Sequence, residues 1–157
     1  GMGASIVSTR FVPAGGIEWR TAPVVLPLRN DPGFTEADRR AVLANSELAA
    51  STRIYRGAMR IAFAQRIEQP IELSALGIGP VRIVHLPGES MVEFQLFAQQ
   101  VAPGQFVAVA AYGDCGPGYI CTERAFEEGG YEPTDSLVSP RSESILKGAI
   151  RQLLGVE

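Results

Sequence analysis

The sequence predicts an α/β fold, or a mixed α+β arrangement, in which helices flank a sheet within one compact domain spanning residues 1–157. Three observations carry that expectation. Segments patterned as strands alternate with segments of helical spacing, in the order strand, two helices, two strands, helix, strand, irregular loop, helix. The length of 157 residues suits one core, because a domain of about 150 residues buries roughly two-thirds of the surface its unfolded chain exposes. The composition, 46% hydrophobic and 20% charged, is globular, with no apolar run long enough to span a bilayer.

The first element lies in "GIEWRTAPVVLPLRND", where Ile17, Trp19, Val24, Val25 and Leu28 stand between Gly and Pro punctuation. One or two β segments are expected, broken at Pro23 and Pro27, since Pro removes a ladder donor. "FTEADRRAVLANSEL" offers Thr35 as N-cap with Asp38 three residues on, then Ala41, Leu43 and Leu48, which predicts a helix. A second helix follows, with Ile54, Met59, Ala62 and Phe63 at helical spacing. "IELSALGIGPVRIVHLP" is rich in Ile and Val around Gly77, Gly79 and Pro80, the pattern of a hairpin whose second strand ends at Pro87.

"GESMVEFQLFAQQVA" places Met91, Phe94, Leu96 and Phe97 on a helix with Glu89 in its first turn, where a carboxylate suits the positive end of the dipole. "QFVAVAAYG" is a nearly all-apolar strand, as expected where both faces are covered. A mostly irregular segment, "YGDCGPGYICTERAFEEGGYEP", comes next. "SPRSESILKGAIRQLLG" closes the chain as an amphipathic helix, with Ile145, Ile150, Leu153 and Leu154 toward the core and Gly155 as the stop. Trp19 and the phenylalanines are expected in the core.

The net charge of -3 and the scatter of the arginines argue against a nucleic-acid partner, which needs a basic stripe along a phosphate backbone. The opening residues lack a basic stretch followed by an apolar one, so no signal peptide is expected in this chain. Cys115 and Cys121 match no zinc-ribbon or C-x-x-C spacing. They are read as two free thiols or as a small disulfide.

If strand 81–86, helix 89–101 and strand 105–111 form a right-handed crossover, residues 87–90 and 112–122 lie beyond the carboxyl ends of neighbouring parallel strands. Open α/β sheets usually bind ligands at that edge. Glu89 would come near Asp114 and Tyr119 there, an oxygen-rich set suited to a metal or to acid/base work. The plainer readings are a helix-capping carboxylate and a packed tyrosine.

Two stretches resemble a known family. "LPGE" at 86–89, followed after thirty residues by "YICTERAFEEGGYE", looks like the closing part of the neutral/alkaline ceramidase catalytic domain. Tyr119, Thr122, Phe126, Tyr131 and Glu132 fit that family's offsets of a tyrosine, a threonine three on, an aromatic seven on and Tyr-Glu at twelve and thirteen. The resemblance implies that Glu89 and Tyr119 bind a catalytic zinc and that Tyr131 is a catalytic hydroxyl behind the ligands or on the substrate side. It implies an N-acyl amide, lipid-like, as substrate of the full-length form, with sphingolipid metabolism as its setting. A zinc ion with open coordination polarises the amide carbonyl and lowers the pKa of its water to about 7. Gly113, Gly116 and Gly118 would let backbone approach without Cβ clashes. Asp114 matches no family position.

The departure from the family lies in nitrogen ligands. Its zinc also takes two histidines from earlier in the domain, and this chain has one His in total. His85, before Pro87, fits a packed strand-end imidazole and matches no ligand position. Zinc is therefore expected to be absent or weakly held here. The chain is expected to correspond to the C-terminal third of a larger hydrolase, inactive alone, whose parent protein is secreted or periplasmic in one reading. An apolar face left by the missing part would then favour a homo-oligomer. The alternative is a non-catalytic α/β interaction domain with a vestigial site. Ser90 is expected to cap rather than attack, and "GDCGPG" lacks the Lys-Ser/Thr pair of a phosphate loop.

Overall fold

The computed structural model describes residues 2–113 and 116–156. In chain order its elements are α1 (Met2–Val7), β1 (Ile17–Val24), α2 (Glu36–Ala44), α3 (Ala50–Thr52), a π-helical stretch (Arg53–Met59), α4 (Arg60–Ile67), β2 (Ile71–Ile78), β3 (Val81–Pro87), β4 (Glu89–Ser90), α5 (Val92–Val101), β5 (Phe106–Gly113), β6 (Tyr119–Ile120), α6 (Glu123–Glu128), α7 (Tyr131–Asp135) and α8 (Ser142–Leu154). This is the expected α/β class. The main sheet runs β1-β2-β3-β5. Its first two pairings are antiparallel, and β3 pairs with β5 in parallel across the α5 connection.

The helix and hairpin signals hold locally. Thr35 and Asp38 close a capping box, with the Asp38 amide donating to the Thr35 hydroxyl at 3.1 Å and the Thr35 amide donating to the Asp38 carboxylate at 3.0 Å. Gly79 and Pro80 turn the β2–β3 hairpin between the paired Ile78 and Val81, whereas Gly77 lies inside β2. Gly155 adopts the left-handed conformation that ends α8 (φ 69°). The core gathers Leu73, Val84, Leu86, Phe94, Leu146 and Ile150 between the sheet and the pair α5 and α8.

Several expectations are corrected. β1 runs unbroken through Pro23, because it is an edge strand, where a missing donor is tolerated. The helix after Thr52 widens into the π-helical stretch, where Gly57 lies against α2. A Cβ at Gly57 would fall 2.9 Å from the Leu43 Cα. The wider turns change the face, so Ile54 and Met59 are exposed while Ala64 and Ile67 enter the core. Glu89 lies in β4 rather than in the first turn of α5, whose N-cap is Met91, and Leu96 of that helix is exposed. The segment expected to be irregular contains β6, α6 and α7, with the Thr122 hydroxyl accepting from the Ala125 amide at 3.2 Å to start α6.

β5 is covered on one face only. It forms the second edge of the sheet, and the side-chain amide of Gln95 on α5 satisfies part of its free backbone, donating to the Val107 carbonyl at 2.9 Å and accepting from the Val109 amide. On the opposite face two apolar rows cross all four strands, Ile17–Ile78–Val81–Phe106 and Trp19–Leu76–Ile83–Ala108. The helices that pack on the sheet share the other face. Trp19 is therefore 62% exposed and Phe106 68%, contrary to the expected core positions.

Candidate functional site

The parallel strands β3 and β5 end at Pro87 and Gly113, and the chain beyond each is drawn together. The Gly88 amide donates to the Gly113 carbonyl at 3.2 Å and the Glu89 amide to the Gly118 carbonyl at 2.8 Å. β4 and β6 then pair in parallel, with Glu89 opposite Tyr119 and Ser90 opposite Ile120. Two residues thirty positions apart thus become neighbours on one rim. The approach depends on glycine: a Cβ at Gly116 would fall 2.0 Å from the Gly88 amide nitrogen, and one at Gly113 would fall 2.2 Å from His85 Nε2.

Glu89 and Tyr119 are shared by two clefts. One, of about 130 Å³, is also lined by Tyr55, Arg60, Tyr131 and Asp135. The other, of about 290 Å³, is also lined by Ser90, Glu93, Tyr112 and Glu132. The Tyr131 ring meets that of Tyr119 edge-on, with centroids 5.7 Å apart and planes at 82°, a preferred aromatic geometry. Behind them the buried Ser136 hydroxyl donates to the Tyr119 carbonyl at 2.8 Å. Arg29 Nη1 donates to the Pro133 carbonyl at 2.6 Å, and Arg60 pairs with Asp135, fixing α7.

Burial raises the Tyr119 phenol above its ordinary pKa, and the charge of Glu89 raises it further. Phenolate formation there at neutral pH would need a cation. Tyr112, which the sequence did not single out, adopts φ 68°, rare outside glycine. Its phenol hydrogen-bonds Glu89, which raises its pKa. Nothing in a tyrosine's chemistry announces a left-handed backbone, so no sequence signal marked it.

The Ser90 hydroxyl donates to the Pro87 carbonyl at 2.9 Å and does not cap α5. His85 lines neither cleft beside Glu89. Asp114 and Cys115 lie outside the described residues. Cys121 is a free, fully buried thiol, and burial pushes its pKa up to about 11. We expect it to resist alkylation in the native chain at pH 8 and to react on unfolding, since the thiolate is the nucleophile. Mass spectrometry of the Cys115→Ser variant after iodoacetamide checks this; native labelling would contradict the burial.

Among the described residues no group of three or more His, Cys, Asp or Glu side chains is placed to hold a metal ion. Glu89 and Tyr119 supply one carboxylate and one phenol, whereas a catalytic zinc normally takes three protein ligands. The donor set of these residues alone does not fit a catalytic zinc.

Fold and rim together define an α/β domain with an oxygen-rich edge beyond two parallel strands. No protein-family model and no curated protein matches the chain. Among solved structures, it is similar to the neutral ceramidase from Pseudomonas aeruginosa, with a TM-score of 0.53 and 13% identity over 90% of this chain and 29% of that one. A ceramidase complexed with C2 is similar at a TM-score of 0.49 and 15% identity, over 55% of this chain and 14% of that one. The chain spans less than a third of either protein, and the likeness is a ceramidase-like fold.

Proposed function

We propose that the chain carries the oxygen half of a ceramidase-like zinc amidohydrolase centre, acting on an N-acyl lipid amide within a longer hydrolase of which it is the C-terminal part. Glu89 and Tyr119 are the metal ligands, and the Tyr131 hydroxyl donates a hydrogen bond toward the substrate's carbonyl oxygen. The observation that carries this reading is the parallel pairing of Glu89 with Tyr119, with Tyr131 edge-on to the latter. The nitrogen donors come from polypeptide beyond these residues, so the chain alone holds zinc weakly and hydrolyses little amide.

The test compares this chain with one extended toward the N-terminus, measuring zinc content, N-acyl amide hydrolysis and the near-ultraviolet tyrosinate band. The extended chain should bind zinc, show the band and turn over. Losing an outer partner of a metal ligand typically costs 10–100-fold in affinity, so Glu89→Gln in the extended chain should cost about 100-fold or more. Unchanged zinc affinity in that variant would remove Glu89 from the ligand set. Activity in the short chain would overturn the missing donors. The bare apolar sheet face favours a second reading, a non-catalytic interaction domain with a vestigial site, to which an extended chain lacking both zinc and activity would point.

A further inference from the structure

Arg39, on the α2 face toward α4, is 5% exposed. Its Nη1 donates to the Phe34 carbonyl, and its Nε is buried with no partner. No described carboxylate lies within ion-pair distance of it, although its charge helps to lower the Asp38 pKa from further away. Glu36 is engaged by Arg40 at 2.6 Å and Asp31 by Arg29. The Asp38 carboxylate accepts from the amides of Gly33 and Thr35 at 2.9 and 3.0 Å. Burying a guanidinium without a carboxylate partner is unfavourable, a penalty that a matched oxyanion offsets.

Arg39 lines a cavity of about 340 Å³ between residues 28–30, α2 and α4, at the lower end of small-molecule pockets. Leu28, Ile61 and Ala64 form its apolar wall, and Glu36 and Glu68 stand at its polar side. We propose that this cavity binds a monoanionic carboxylate carrying a small apolar body, the carboxylate on the Arg39 fork and the body against Leu28, Ile61 and Ala64. The planar guanidinium matches a carboxylate bidentately. The two glutamates repel a second negative charge and so disfavour a phosphate dianion. No wall residue is shared with the clefts at Glu89, so this site and the proposed amide chemistry stand or fall separately.

The experiment titrates the chain with hexanoate, hexanamide and inorganic phosphate, following the Arg39 Nε–H and the Leu28 and Ile61 methyls by NMR. Hexanoate should saturate these signals in the millimolar range, with hexanamide and phosphate each at least about tenfold weaker. Arg39→Gln should weaken hexanoate by at least about tenfold. Equal binding of hexanamide or of phosphate would overturn the proposal, as would no shift at Arg39. The ligand series on the unaltered chain decides the matter even if the variant fails to fold.

Discussion

Gly116→Ala opens the rim. A methyl at this position would sit 2.0 Å from the Gly88 nitrogen and 2.2 Å from its Cα. Both atoms are backbone and no rotamer relieves them. Overpacking a yielding site costs about 1–3 kcal/mol; here the strands must part, so a local loss of about 3 kcal/mol or more is expected, above a hundredfold in the closed population. Amide exchange reads this directly. The Glu89 amide, bonded to the Gly118 carbonyl at 2.8 Å, and the Met91 amide, bonded to the Ile120 carbonyl at 3.2 Å, should lose protection while Val84 keeps it. Gly104, where an added Cβ meets nothing within 4 Å, supplies the control: Gly104→Ala should stay within about 0.5 kcal/mol of the parent. Unchanged protection in Gly116→Ala would mean that Glu89 and Tyr119 are held together by something other than this backbone contact.

What the sequence disclosed and what it hid divide along physical lines. The Thr35–Asp38 box, the Gly79–Pro80 hairpin and the α8 stripe were legible because each is set by interactions within a few residues. The meeting of Glu89 with Tyr119 was legible for a different reason. A parallel crossover from β3 to β5 sends both following segments to the same edge, and the spacing of the aromatic residues echoed a family pattern. The entry into α5 misled because an acid before a helix satisfies the dipole argument equally well one turn earlier. Whether the carboxylate lies in that turn or in a two-residue strand depends on β6, thirty residues away. Tyr112 and Arg39 were hidden because a left-handed tyrosine and an unpaired buried arginine are both defined by tertiary surroundings. The apolar runs of β1 and β5 show that a strand is hydrophobic without showing what covers it.

That last ambiguity leads to the second large effect. Ile17, Trp19, Ile83 and Phe106 lie uncovered on one sheet face, and sheets usually pack such faces about 10 Å from another layer. Trp19 is the one tryptophan of the chain, so its emission reports on this face alone. We expect the chain to self-associate at micromolar concentration through it, with Trp19 emission moving to the blue as association proceeds. An aromatic ring covers about 150–250 Å² when fully buried. At about 25 cal/mol/Å² the exposed parts of Trp19 and Phe106 are worth roughly 5–8 kcal/mol gross. Ordering and imperfect fit take much of this, leaving about 3 kcal/mol. The double variant Trp19→Ser, Phe106→Ser should therefore weaken association by about a hundredfold or more, measured by sedimentation. If the chain is part of the proposed longer hydrolase, a chain extended toward the N-terminus should remain monomeric, the added polypeptide occupying the face. A short chain that stays monomeric at high concentration, with no emission shift, would show that this face is stable in water. The bare sheet would then give no support to a missing layer.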